Sequence, residues 1–89
     1  MVTGTPEALY RYCRIDDDDT ELQQTALELA DAAEEYLTAH RMMPADPQNP
    51  RAALCVRAMT LHDLDHPGEA YPGGILGMLN DLKFRIQGG

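Results

Sequence analysis

The sequence contains no serine and no tryptophan, and only one phenylalanine, one lysine and two cysteines. Without serine, a hydrolase that uses a Ser-His-Asp triad is excluded. No Gly-rich phosphate-binding loop is present, and no apolar run approaches the roughly 20 residues of a membrane-spanning helix. Residues 1–5 lack the basic and apolar regions of a signal peptide, so we expect a soluble protein that stays in the compartment where it is made.

The two cysteines, Cys13 and Cys55, are too few for the disulfide framework of a small secreted domain. They form no Cys-x-x-Cys motif, and nothing in their spacing supports a thiol catalyst. We interpret them as small buried hydrophobic residues, with a bridge or a metal site as the open alternative. Catalysis is not expected, and neither is a cofactor.

The charge is strongly one-sided. Fifteen acidic residues against seven basic residues give a net charge of −8, and the seven basic residues are scattered along the chain. Nucleic-acid-binding proteins usually carry a basic stripe that neutralises phosphates. We therefore expect no specific binding to DNA or RNA. At 89 residues, with 44% hydrophobic residues, the chain is one domain with a single modest core.

The positions of capping residues, prolines and glycines predict four helices, and no segment has the alternation of a strand. The first begins with Thr5 as N-cap and Pro6 in the first turn, and it stops near Ile15. The second spans about residues 19–40. The third starts with Asn49 as its cap and Pro50 at its first position, and Tyr71-Pro72-Gly73-Gly74 leads into the last. The predicted fold is all-α, a small bundle of about four helices in which the second is long and amphipathic and the third is largely buried.

The second helix has the clearest periodicity. Asp18, three residues before Glu21, has the form of a capping box. One face collects the apolar side chains of Leu22, Ala26, Leu29, Ala30, Ala33, Tyr36 and Leu37. The opposite face collects the carboxylates of Glu28, Asp31, Glu34 and Glu35. Leu27 falls well outside the apolar stripe.

The third helix is apolar around its whole circumference between residues 52 and 64, with few interruptions. A helix of this kind has to be covered on every side. Either it is the centre of the bundle, or another subunit covers part of it, and the misplaced Leu27 favours the second possibility. In the last helix, Gly77 costs about 1 kcal/mol relative to alanine, so we expect it to mark a close contact between helices.

Two segments resemble metal sites. His62 and His66 are four residues apart, as in the zinc-binding His-Glu-x-x-His motif, but Asp63 replaces the catalytic glutamate and no obvious third ligand follows. The simpler interpretation is that both histidines favour the negative end of a helix dipole. The tract of four aspartates at 16–19 lacks the glycine of a calcium-binding EF-hand loop, so we interpret it as a helix-capping run. No metal ligand is predicted.

The acidic residues are concentrated in one stretch. Residues 16–35 hold nine of the fifteen acids and no Lys or Arg. This surface is either a solvated face, or a surface that meets a basic partner, or the wall of a passage along which DNA slides without adhering. The candidate residues for a subunit or partner interface are Leu27, Glu28, Asp31, Glu35 and Met59.

The order of these segments resembles the phage head-tail connector family, the small virion proteins that dock beneath the portal. The resemblance is carried by residues 9–16 (LYRYCRID), 17–22 (DDDTEL), 26–37 (ALELADAAEEYL) and 71–79 (YPGGILGML), with the apolar third helix between the last two. It covers roughly residues 7 to 86. The chain departs from the family pattern at His62–His66 and in the proline-rich loop at 43–50.

The resemblance implies a helical bundle without a catalytic site. It implies a virion protein of a phage or prophage, present in the host cytoplasm before assembly, that forms a ring, with twelvefold symmetry expected, beneath the portal. Its partners would be copies of itself, the portal protein and the next head completion protein on the tail side, with DNA passing through the ring and no membrane involved. Because the chain departs from the family pattern at these two places, the resemblance does not predict which residues contact neighbouring subunits.

Two other functions remain open from the sequence. An acidic binding module, such as a DNA mimic or an inhibitor of a basic partner, would use the carboxylates of the second helix. A small metalloprotein would use His62 and His66.

Overall fold

The computed structural model describes residues 1–88, with side chains for residues 1–85, as four α-helices joined by loops. The helices are α1 (Pro6–Cys13), α2 (Thr20–Ala39), α3 (Pro50–Asp65) and α4 (Gly73–Gly88). No strand occurs within these residues. The all-α fold predicted from the sequence is confirmed. No helix in this part of the chain has the length and hydrophobicity needed to cross a membrane.

Side chains in the preceding loops cap three of the helices. Thr5 and Asn49 cap α1 and α3 as expected, each followed directly by a proline. For α2 the expectation was wrong, because the cap is Asp19 and not Asp18. The Asp19 carboxylate accepts a hydrogen bond from the backbone N–H of Leu22 at 3.1 Å, which satisfies one of the unpaired donors of the first turn.

Helices α1 and α2 end in the same way. Arg14 and Arg41 each have a φ of 57°, the left-handed conformation that usually belongs to glycine. The next residue, Ile15 or Met42, donates its N–H to the carbonyl five residues earlier, at 2.9 and 2.7 Å, as in a Schellman motif. Both of these residues are buried, so each helix stop also anchors a hydrophobic side chain in the core.

Helix α3 lies at the centre of the bundle and contacts each of the other three helices. Its own chain therefore covers most of its apolar surface. Of the two alternatives left open by the sequence, α3 is the centre of the bundle. The residue that favoured the second, Leu27, is partly buried and packs against the core of the same chain. Of the apolar residues of α3, Leu54 stays substantially exposed, at 41%.

The core is built from small residues on α2 and larger ones elsewhere. On α2 the side chains of Ala26, Ala30, Ala33 and Leu37 are buried, whereas Leu22 and Tyr36 at the margins of the predicted stripe are exposed. Small side chains let neighbouring helices approach closely. The other main contributors are Leu9, Cys55, Val56, Met59, Ile75, Leu79 and Leu82.

Gly77 does not mark a helix contact, so this expectation was wrong. A Cβ atom added at Gly77 would meet nothing within 4 Å. The residue lies within α4, where the buried face is formed by Ile75, Leu79 and Leu82.

Candidate interaction surface

Three exposed carboxylates on α2, those of Glu28, Asp31 and Glu35, form what we call the acidic face. They are spaced by three and four residues, so they lie along one side of the helix. Helix α2 begins directly after the exposed aspartates of residues 16–19, which lengthens the acidic surface toward its N-terminus. The structure thus places three of the five predicted interface residues together on one exposed stripe.

The acidic face has few partners within the chain. The Gln24 side chain donates to Glu28 at 3.4 Å, and the Met1 ammonium lies 2.9 Å from Asp31, which remains 60% exposed. This ion pair holds the pKa of the Met1 ammonium above its usual value, through the hydrogen bond to Asp31. Among the described side chains, no Arg or Lys forms a salt bridge with any of the three carboxylates.

Glu34 was predicted on the polar side of α2 but is buried, with 6% of its surface exposed. One of its carboxylate oxygens, Oε2, accepts three hydrogen bonds. The donors are the Thr3 N–H at 2.6 Å, the Thr3 hydroxyl at 2.7 Å and the Val2 N–H at 2.8 Å. Gln48 holds the same segment from the other side, because it donates to the Val2 carbonyl and accepts from the Gly4 N–H. Glu34 therefore anchors residues 2–4 and is not available to a partner.

The other two predicted interface residues, Met59 and Leu27, are buried to different extents. Met59 is fully buried in the core, so it does not present a surface to a neighbour, and that prediction was wrong. The reason is that α3 is enclosed by its own chain. Leu27 is partly buried and packs against the same core, which leaves only part of its side chain for any contact outside the chain.

Several large apolar side chains are exposed away from the acidic face. Leu76 is 48% exposed and Phe84 is 74% exposed, and both lie on α4 outside its buried face. Leu54 of α3 lines a shallow groove together with Met78 and Leu82 of α4. Single exposed apolar residues are ordinary on protein surfaces, whereas contiguous exposed apolar patches mark contact surfaces.

An ion-pair cluster connects α3 and α4 beside this groove. Asp81 accepts hydrogen bonds from Arg85 at 3.1 Å and from Arg51 at 3.0 Å. The hydrogen bond from Arg85, followed by the charges of Arg85 and Arg51, lowers the pKa of Asp81. All three side chains are about half exposed, so the cluster orients α4 more than it stabilises the fold.

The two histidines singled out in the sequence lie in contact at the end of α3. Their ring centres are 5.4 Å apart, although the helix ends at Asp65 and His66 is its C-cap. Tyr71 packs beside His62, with ring centres 5.2 Å apart, and its hydroxyl donates to Asp63 at 3.1 Å. Burial and the Asp63 carboxylate raise the pKa of Tyr71 to about 12.

Both cysteines are free thiols, and Cys55 is buried as predicted, whereas Cys13 is only partly buried against the core. Burial raises the pKa of Cys55 to about 11 and also raises the pKa of the half-buried Cys13, which makes both of them poor nucleophiles at neutral pH. Within residues 1–88, no three His, Cys, Asp or Glu side chains are arranged to hold a metal ion together.

Two side-chain contacts, Thr3 with Glu34 and Tyr71 with Asp63, were not predicted from the sequence. Thr3 belongs to no motif, the motif that contains Tyr71 indicates only a turn and a helix start, and each residue meets its partner only after the chain has folded. Pro72, next to Tyr71, indicated a turn between α3 and α4. It did not indicate which side chain the Tyr71 hydroxyl would contact.

The chain was also compared with known proteins. Comparisons with protein families, with curated proteins and with solved structures gave no match. The resemblance to phage connectors therefore stays a prediction from the sequence. That resemblance, the acidic face and the exposed apolar side chains are the features that bear on function.

Proposed function

We propose that this chain is a structural protein of a phage or prophage virion, a head-tail connector that assembles as a ring beneath the portal and joins the head to the tail. The observation that carries the proposal is the acidic face, Glu28, Asp31 and Glu35, exposed on a small helical bundle and unpaired with any Arg or Lys among the described side chains. The protein performs no catalysis in this role.

The charge of the acidic face suits a surface beside confined DNA. Like charges repel the phosphate backbone, so DNA passes along such a surface without adhering to it. The net charge of −8 extends this property to the whole subunit. A ring with these carboxylates toward its lumen acts as a passage for DNA and not as a DNA-binding protein.

The contacts between subunits come from a different part of the surface. The exposed apolar side chains of Leu54, Leu76 and Phe84 lie on α3 and α4, and a neighbouring copy or the portal would cover them. The apolar circumference of α3 lends no support to the ring, because its own chain already covers most of it. Repulsion between subunits of like charge makes assembly dependent on salt and on the portal.

The test is to mix this chain with the portal protein of the phage or prophage that carries its gene. Electron microscopy of the mixture should show a ring of this chain on the portal, and analytical ultracentrifugation should show a complex of corresponding mass. The Phe84→Ser and Leu76→Gln substitutions should weaken assembly, since they remove apolar contact area without touching the core. A chain that stays monomeric at high concentration and does not bind the portal would overturn the proposal.

The acidic face also favours a second function, an acidic module that binds a basic partner. The variant Glu28→Gln, Asp31→Asn, Glu35→Gln separates the two, and it leaves Glu34 in place because that residue holds residues 2–4. A connector with these changes still forms rings on its portal. A DNA mimic or inhibitor with the same changes loses its partner.

A further inference from the structure

The last turn of α3 brings two imidazole rings into a geometry that suits a shared metal ion. His62 and His66 have ring centres 5.4 Å apart with an angle of 38° between the planes. With Zn–N bonds of about 2.0–2.1 Å and a tetrahedral angle, two imidazoles that bind one zinc ion have ring centres about 5 Å apart. The observed distance between the ring centres is therefore compatible with a chelating pair.

Each imidazole also has a carboxylate beside its Nδ1 atom. Nδ1 of His62 lies 3.6 Å from Asp63 Oδ1, and Nδ1 of His66 lies 3.3 Å from Glu69 Oε2. A histidine that binds a metal through one nitrogen commonly donates its other N–H to a carboxylate, which fixes the ring and its tautomer. Here both rings have the carboxylate on the Nδ1 side, which leaves Nε2 as the metal-binding atom of each.

Nδ1 of His62 supplies an independent observation. The His62 side chain is 9% exposed, and its Nδ1 is buried without a hydrogen-bond partner among the described side chains. Leaving a buried polar atom without a hydrogen bond destabilises the folded state. Metal binding at Nε2 makes Nδ1–H a stronger donor toward Asp63, whose other oxygen is already held by the Tyr71 hydroxyl at 3.1 Å.

We infer that His62 and His66 form a two-histidine binding site for a late first-row divalent metal ion, with Nε2 of each ring as a ligand and Asp63 and Glu69 as their supporting carboxylates. Imidazole pairs favour Zn²⁺, Cu²⁺ and Ni²⁺ over Mg²⁺ and Ca²⁺. No third ligand is available within residues 1–88, so water completes the coordination. The site is open to solvent through His66, whose side chain is 56% exposed.

This inference goes beyond the proposed connector function and does not depend on it. The metal ion would join His62 in the last turn of α3 to the C-cap residue His66, and tighter binding would stabilise the folded state more. It would add no catalytic step.

The experiment is a titration of Zn²⁺ into the untagged chain by isothermal calorimetry at pH 7.5, with Mg²⁺ as the comparison ion. We expect one Zn²⁺ per chain, no binding of Mg²⁺, and a rise in melting temperature with Zn²⁺. Co²⁺ should give the visible absorption of a nitrogen-ligated ion. The variant His66→Gln should weaken Zn²⁺ binding at least ten-fold, and Glu69→Gln should weaken it about ten- to hundred-fold.

The matched control is His40→Gln, because His40 is the third histidine of the chain, contacts Tyr36 at the end of α2, and is not one of the proposed ligands. His40→Gln should leave the Zn²⁺ affinity unchanged. His66→Gln is preferred over His62→Gln, since His66 is exposed and its replacement leaves the core intact. Absence of Zn²⁺ binding would overturn the inference. So would binding that persists in His66→Gln or that is lost equally in His40→Gln.

Discussion

Thr3 and Glu34 are 31 positions apart in the sequence, and both hydrogen-bond donors of Thr3 meet the same carboxylate oxygen of Glu34, at 2.6 and 2.7 Å. Thr3 is completely buried and Glu34 nearly so. A buried carboxylate is stable only when hydrogen bonds replace its hydration. The segment before α1 therefore forms part of the folded core and is not a loose extension.

We expect Thr3→Val to lower the free energy of unfolding by about 1–3 kcal/mol, because it removes one hydrogen bond to a charged group while keeping the size of the side chain. Glu34→Ala should cost about 3 kcal/mol or more, since it leaves the donors of Val2 and Thr3 unpaired. Urea denaturation followed by circular dichroism measures both.

The neighbouring Glu35 provides the control for Glu34, since the two residues have the same chemistry and Glu35 is exposed. Glu35→Gln should change the free energy of unfolding by less than about 0.5 kcal/mol. If the Glu34 and Glu35 variants were equally stable, the anchoring role of Glu34 would be wrong.

Two glycines with open space around them should respond in opposite ways to alanine. Gly77 lies inside α4, and Gly77→Ala should raise the free energy of unfolding by about 1 kcal/mol. Gly68 has a φ of +80°, so Gly68→Ala should lower it by about 1 kcal/mol through backbone strain. Thermal denaturation of the two variants tests this, and a loss of stability in Gly77→Ala would mean that α4 packs on a further surface.

The Cys55 thiol should make the fold less stable at alkaline pH. An unfolded thiol ionises near pH 9, whereas burial raises the pKa of Cys55 to about 11. Below pH 9 the thiol is protonated in both states and contributes no pH dependence. Above pH 9 the unfolded chain loses its proton while the folded chain keeps it, so stability falls as the pH rises toward 11.

Urea midpoints measured between pH 8 and pH 11 test this expectation, with Cys55→Ala as the comparison. The alanine variant should lose less stability across the range, although its midpoint at pH 8 is lower because the core is less well filled. Tyr71→Phe should reduce the part of the loss that begins near pH 10, since the pKa of Tyr71 is raised to about 12. Parallel curves for wild type and Cys55→Ala would contradict the prediction.

The acidic face should be a source of repulsion within the isolated chain. Like charges three or four residues apart on a helix cost about 0.2–0.5 kcal/mol per pair, and Asp31 has such a neighbour on each side. The double variant Glu28→Gln, Glu35→Gln should therefore be more stable than wild type by about 0.4–1 kcal/mol at low salt.

This gain should shrink at 1 M NaCl, where the Debye length is only about 3 Å. Lys83→Gln provides a comparison outside the acidic face, and it should raise the net negative charge without any gain in stability. A double variant whose gain is the same at low and high salt would show that packing and not charge is responsible.

The sequence was sufficient to predict the helices but not every buried side chain. The bounds of α2, predicted at about 19–40 and observed at Thr20–Ala39, follow from periodicity and from the prolines that come after it. Periodicity also placed Glu34 on the polar side of that helix. Its burial depends on residues 2–4 crossing over it, and no property of α2 itself indicates that contact.

The errors at α3 and at the cap of α2 have a similar cause, because the pattern within one segment does not show what that segment contacts. The all-round hydrophobicity of α3 predicted that something covers it, and only the fold shows that the cover is α1, α2 and α4 of the same chain. Met59 was therefore assigned to an interface when it belongs to the core. Asp18 and Asp19 are chemically identical, so spacing alone did not decide which of them caps the helix.

Helix α4 touches α3 and, within the described residues, packs against neither α1 nor α2. Undocking of α4 would therefore leave every contact among α1, α2 and α3 in place, and amide hydrogen exchange would detect such a local opening. Such an opening would uncover the groove side of α3 around Leu54 and release Arg51 from Asp81. In that open form, the apolar side chains of α3 that α4 covers would be exposed to solvent.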